Sequence, residues 1–72
     1  MPWRQATSVA KDTGKRIGED LALMADDLCR RVARTLRELL NLTESDERQL
    51  IDICTANAYD AFREKARRML PP

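Results

Sequence analysis

Residues 18–40 read GEDLALMADDLCRRVARTLRELL, and this stretch decides the fold. Its apolar residues recur at spacings of three and four, which is the period of one face of an α-helix. Including the residue just before it, the apolar stripe consists of Ile17, Leu21, Met24, Leu28, Val32, Thr35, Leu36 and Leu39. Charged side chains occupy the opposite face, so the predicted helix has one apolar face along its whole length, and this face must be covered by another element.

A tight reversal is expected directly after this helix. Asn41 suits the left-handed position that ends many helices, and Thr43 with Asp46 forms a capping box that begins another helix. The pattern predicts helices over about 17–41 and 44–69, joined by two or three residues. Such a short connection makes an antiparallel αα-hairpin, so the fold class is all-α.

A two-helix hairpin covers its apolar faces only in part, because the far side of each stripe stays in water. We therefore expect two hairpins to pack into a four-helix bundle, which makes the protein a homodimer. The predicted core and dimer residues are Leu21, Leu28, Val32, Leu36, Leu39, Ile51, Cys54, Ala58, Phe62 and Met69.

Residues 1–16 are predicted to be a flexible or partly helical basic arm, and 17–70 the helical hairpin. Before Ile17 the only large aliphatic residue after the start of the arm is Val9. Gly14 and Gly18 each lower helix propensity by about 1 kcal/mol relative to Ala. Trp3 is expected to dock, either on the bundle or on a partner.

The composition limits the functional classes. Thirteen Lys and Arg against twelve Asp and Glu leave a net charge of +1 in 72 residues, so no global bias toward nucleic acid or anionic lipid is present. Two cysteines without a signal-peptide apolar region predict a reducing, cytoplasmic location, and no apolar run approaches the length of a membrane span.

Catalytic motifs are missing from the chain, so we expect no enzyme activity. There is no His, which is the commonest general base and zinc ligand, and Cys29 and Cys54 form no CxxC motif. No cofactor and no metal site are predicted.

The two cysteines are nearly equidistant from the turn at Leu42, so an antiparallel hairpin puts them in almost the same layer. Free cysteines are commonly small buried residues, and we favour that interpretation of Cys29 and Cys54 over a redox switch.

The segment Ser45-Asp46-Glu47, followed by Asp52-Ile53-Cys54, resembles the start of the second helix in Rop-type plasmid regulators. These regulators are short helical hairpins that dimerise into four-helix bundles, and the resemblance implies the same architecture here. Their RNA-binding face on the first helix combines basic and amide residues with an aromatic one, whereas the corresponding face here offers arginines without an aromatic residue.

Two kinds of partner compete at the level of sequence. Apolar residues predicted to lie outside the core favour another protein, and these are Trp3, Leu23 and Ile53. A cluster of arginines on the first helix favours nucleic acid, and it consists of Arg30, Arg31, Arg34 and Arg37. Acidic i,i+4 neighbours and the nearly neutral total charge weigh against nucleic acid. We therefore expect a small helical dimer that acts as a protein-binding regulator, inhibitor or adaptor, with a nucleic-acid-binding regulator as the alternative.

Overall fold

The computed structural model describes residues 2–20 and 24–70, and these residues form three helices. Helix α1 spans Pro2–Asp20, α2 spans Ala25–Leu40 and α3 spans Glu44–Met69. The all-α prediction is confirmed. The prediction of two helices is wrong, because the segment expected to be an arm is itself part of a helix, and the stretch 17–41 contributes to two helices.

Helix α1 forms where local propensity is low because a tertiary contact stabilises it. Small residues recur every fourth position along one face, and all of them are buried: Ala6, Ala10, Gly14 and Gly18. Residues at this spacing lie above one another on a helix. The two glycines lower the helix propensity of this segment, but in the fold they let α1 lie against a neighbouring backbone.

That neighbour is α3, and the two helices run in parallel. A Cβ atom added to Gly14 would overlap the carbonyl oxygen of Cys54, and one added to Gly18 would overlap that of Ala58. Both pairs are offset by 40 residues, so the chains advance in the same direction. Only glycine permits this separation of the two backbones.

Helix α2 runs antiparallel to both neighbours. The side chains of Arg37 and Glu47 approach to 3.5 Å, and the Cα atoms of Cys29 and Cys54 lie 5.6 Å apart. Both pairs are centred near residue 42, as two antiparallel helices joined there require. The three helices thus run up, down and up.

The turn between α2 and α3 has the predicted chemistry. Asn41 adopts a left-handed conformation with φ 53° and its N–H donates to the carbonyl of Arg37. The hydroxyl of Thr43 accepts from the N–H of Asp46, and the Asp46 carboxylate accepts from the N–H of Thr43, both at 3.1 Å. The predicted left-handed residue and capping box are confirmed.

The core consists mostly of small side chains. Its buried apolar members among the described residues are Ala6, Ala10, Ile17, Ala25, Cys29, Ala33, Leu36, Leu50, Cys54 and Ala58. Because α1 supplies Ala6 and Ala10 to this core, it covers part of the surface that the sequence analysis assigned to a second copy of the chain.

The predicted core is therefore correct in part. Burial is confirmed for Leu36, Cys54 and Ala58, and Leu28, Val32 and Ile51 pack against the core while remaining half-buried. The prediction of burial is wrong within the single chain for Leu39, Phe62 and Met69, because these residues are exposed. Leu21 lies outside the described residues. The role of these residues in a dimer stays a prediction.

Candidate partner-binding groove

An apolar groove lies between α1 and α2. It consists of two hollows of 310 and 400 Å³ that share Val9, Leu36 and Leu39, so they form one continuous surface feature. The remaining lining residues are Gln5, Leu40, Thr13, Arg31, Val32 and Thr35. We refer to this feature as the α1–α2 groove.

The glycines of α1 lie against α3, so the closest approach of α1 is to that helix. Toward α2, helix α1 offers Val9, whose exposed fraction is 42%. The apolar stripe of α2 continues into the groove, and Leu39 is 75% exposed there. Isolated exposed leucines are common, but a connected apolar patch between two helices is typical of an interaction site.

The rim of the groove carries little charge. Thr13 and Thr35 line it, and the Thr35 hydroxyl already donates to the carbonyl of Arg31 at 2.9 Å. Arg31 is the charged residue among the lining side chains, and its guanidinium lies 3.6 Å from the Asp27 carboxylate. The groove can therefore bind an apolar surface, and it offers few groups that would hold an anion.

The residues predicted to bind a protein are not brought together here. Ile53 is half-buried and packs against the core, so the premise that it is left in water is wrong. Trp3 also packs against the core, which agrees with the prediction that it docks on the bundle. Leu23 lies outside the described residues. Val9 and Thr13 were not predicted as site residues, because their segment was expected to be an arm. Their spacing of four residues would have placed them on one helix face.

The four arginines predicted to form a nucleic-acid face differ in their ion pairing. Arg31 is paired with Asp27, and Arg37 is paired with Glu47. Arg30 and Arg34 line a separate hollow of 480 Å³ between α2 and α3, together with Arg48, Ile51, Glu47 and Asp52. Two carboxylates thus share the hollow with three guanidinium groups, which reduces the attraction for phosphate.

Glu47 is the most confined charged group in that hollow. Its Oε1 atom is buried without a hydrogen bond from any described residue, while its distance to Arg37 Nη1 is 3.5 Å. The ion pair therefore balances the charge without hydrogen-bond geometry. This contact joins the ends of α2 and α3 near the turn.

Cys29 and Cys54 form a disulfide that joins α2 to α3. The prediction that they share a layer is confirmed, and the interpretation as two free buried thiols is wrong for this structure. The bridge closes a loop with a sequence separation of 25 residues. In the chain-entropy account, such a loop contributes about 3–4 kcal/mol to stability.

A comparison with protein-family models, curated proteins and solved structures found no match to this chain. The fold itself defines a small all-α protein with three packed helices and an apolar groove between two of them. In the part of the chain that the structure describes, no helix is long and apolar enough to cross a membrane.

Proposed function

We propose that the protein is a non-enzymatic helical binding module whose α1–α2 groove takes one amphipathic helix of a partner protein. The observation that carries this proposal is the exposure of Leu39 in a continuous apolar groove. A regulator, inhibitor or adaptor works in this way, by occupying a partner's surface.

The shape of the groove supports a helical partner. Along α1 it extends from Gln5 to Thr13, which is about 12 Å at 1.5 Å per residue. This length fits two to three turns of helix, and apolar residues at spacings of three and four would insert between the two bundle helices. A helix bound there would complete a four-helix arrangement.

A nucleic-acid partner is the alternative, and it would use Arg30 and Arg34. Neither forms an ion pair with the described residues, which favours this alternative, but Glu47 and Asp52 line the same hollow. Because Arg31 and Arg37 are paired with carboxylates, Arg30 and Arg34 are the members of the predicted cluster without an ion pair among the described residues.

The two partners are separated by a binding experiment with nuclease and matched variants. Immobilised protein captures its partner from native lysate with and without nuclease, and the captured protein is then purified and titrated. Leu39→Asp places a charge in the groove, and because Leu39 is exposed the core is left intact. Arg34→Gln is the control variant. Far-UV circular dichroism verifies that both variants keep their helicity.

We expect the complex to survive nuclease and Leu39→Asp to weaken it at least tenfold, with Arg34→Gln near the wild type. Truncation or charging of a central apolar contact raises the dissociation rate, whereas a rim charge mainly alters association. Loss of the complex on nuclease treatment, together with greater damage from Arg34→Gln and a steep salt dependence, would establish the nucleic-acid alternative.

The cytoplasmic location belongs to this proposal as a prediction from composition. The Cys29–Cys54 disulfide weighs against it, because such bonds are rare in reducing compartments. Alkylation of the protein in freshly lysed native cells, followed by mass spectrometry, shows whether the two cysteines are reduced or bridged in the cell. Two alkylated cysteines support the cytoplasm, and an unmodified bridge excludes a reducing compartment.

A further inference from the structure

Helix α3 extends past the other two helices. The parallel register of α1 places Asp20 level with Asp60, and the antiparallel register of α2 places Ala25 level with Ala58. Residues 61–69 of α3 therefore continue for about 13 Å beyond these helix ends. We call residues 61–70 the α3 extension.

The α3 extension carries an apolar stripe without a partner in the described chain. Phe62, Ala66 and Met69 follow one another at spacings of four and three, so they share a helix face. Phe62 is 48% exposed, Met69 is 74% exposed, and Leu70 next to them is also exposed. Large apolar side chains on one helix face at the end of a bundle form a surface suited to another apolar helix.

The extension and its base carry opposite charges. Residues 61–70 include four cations and one carboxylate: Arg63, Lys65, Arg67, Arg68 and Glu64. Residues 19–27, where α1 gives way to α2, include four carboxylates and no cation: Glu19, Asp20, Asp26 and Asp27. We call these four carboxylate residues the acidic junction.

The two regions already meet within one chain. The ammonium group of Lys65 donates a hydrogen bond to the carbonyl of Glu19 at 2.6 Å. Beside it, Asp20, Arg68 and Met69 line a cleft of 450 Å³ at the base of the extension. The end of the bundle thus combines an apolar stripe, a basic tip and an acidic base within a few turns of helix.

We propose that this end binds a second copy of the chain. The two α3 extensions lie side by side in antiparallel orientation, so that each apolar stripe covers the other. Each basic tip then reaches the acidic junction of the second copy. The contact is isologous, because the same surface serves both copies and the assembly closes as a dimer.

Charge selects this arrangement over its alternatives. A parallel pairing would bring the two basic tips together, and like charges at contact distance are repulsive. An anionic membrane surface would attract the tips but would repel the acidic junction at their base. The antiparallel pair gives every tip acidic neighbours from the second copy in addition to Glu19 and Asp20 of its own chain.

Side-chain size agrees with the antiparallel pairing. When Phe62 lies opposite Met69 of the second copy, Ala66 falls at the centre of the overlap. A small residue at a helix crossing permits close approach, and the larger side chains pack on either side of it. This interface replaces the hairpin-on-hairpin packing expected from the sequence, and it leaves the α1–α2 groove open, so it does not depend on the proposed function.

The first test compares two matched substitutions by sedimentation equilibrium at micromolar concentration. Phe62→Asp charges the α3 extension, and Leu39→Asp makes the same kind of change at an exposed apolar site in the α1–α2 groove. We expect a dimer for the wild type and for Leu39→Asp, and a monomer for Phe62→Asp. Met69→Asp is the second extension variant in case the first loses helicity. A monomeric wild type, or dissociation by Leu39→Asp alone, would overturn the proposal.

The second test uses the reciprocity of the contact. Arg67→Glu with Arg68→Glu makes the tip acidic, and Asp20→Lys with Asp26→Lys and Asp27→Lys makes the junction basic. Each variant alone repels its own copy, so both should sediment as monomers. An equimolar mixture pairs every tip with an opposite junction, and we expect it to form a heterodimer. A mixture that stays monomeric refutes the charge pairing, and homodimers of either variant refute it as well.

Discussion

The substitution Gly18→Ala tests whether α1 lies directly on the backbone of α3. An added Cβ atom would lie 2.7 Å from the carbonyl carbon of Ala58. Carbon atoms in favourable contact are about 3.5–4.0 Å apart, so the two helices would have to separate by close to 1 Å. The obstructing atoms belong to the backbone, and they cannot rotate away as a flexible side chain can.

Two opposing effects decide whether Gly18→Ala raises or lowers the free energy of unfolding. Alanine is a better helix former than glycine by about 1 kcal/mol, which stabilises the variant. Overpacking a tightly packed contact costs about 1–3 kcal/mol. The Gly18 contact belongs in the upper half of that range because the overlap is with backbone, and the variant should lose about 1–2 kcal/mol of its free energy of unfolding.

Urea denaturation followed by circular dichroism measures this loss, and thermal unfolding should show a decrease of about 4–8 °C per kcal/mol. Gly14→Ala is the graded comparison, since its Cβ atom would lie 3.1 Å from the Cys54 carbonyl carbon and should cost less. Ser8→Ala, at an exposed site on α1, is the control for introducing alanine away from α3, and its smaller gain in helix propensity should leave stability unchanged or slightly raised. A Gly18→Ala variant as stable as the wild type, or more so, would refute the close approach and return residues 1–16 to a frayed arm.

Three further predictions follow from individual contacts. Cys29→Ala with Cys54→Ala should lower the free energy of unfolding by about 3–4 kcal/mol in oxidising buffer, and a reductant should destabilise the wild type without affecting the variant. Phe62→Ala should lower the free energy of unfolding of the monomer by about 1 kcal/mol or less, because the ring is half exposed. Denaturation at low protein concentration measures this change, and a loss of about 3–5 kcal/mol would place the ring in a core. Thr43→Ala should cost about 1 kcal/mol in thermal unfolding through loss of the bond from the Asp46 N–H, and an unchanged midpoint would contradict the capping role.

The turn was predictable because its chemistry is local. Asn41 tolerates the left-handed conformation, and Thr43 with Asp46 satisfies the first free N–H groups of α3 without help from the rest of the fold. The shared layer of Cys29 and Cys54 followed from the same turn, since the position of a reversal sets which residues lie opposite one another.

The candidate site was predictable only in part. Leu36 and Leu39 belong to the apolar stripe of α2, and the sequence marked them for contact with another helix. That their exposed side faces a groove shared with Val9 depends on where α1 packs. Ile53 was expected to be a partner contact because a two-helix hairpin would leave it exposed, and a third helix changes which faces are covered.

The sequence by itself determined the all-α class, the end of α2, the start of α3 and the level at which the cysteines meet, because periodicity, capping and turn chemistry act over a few neighbouring residues. Only the tertiary structure decided that residues 2–20 form a helix and which apolar residues stay exposed. The physical reason lies in Gly14 and Gly18. Glycine lowers the propensity of an isolated helix, but it allows two backbones to touch, and this contact exists only when α3 is already beside α1.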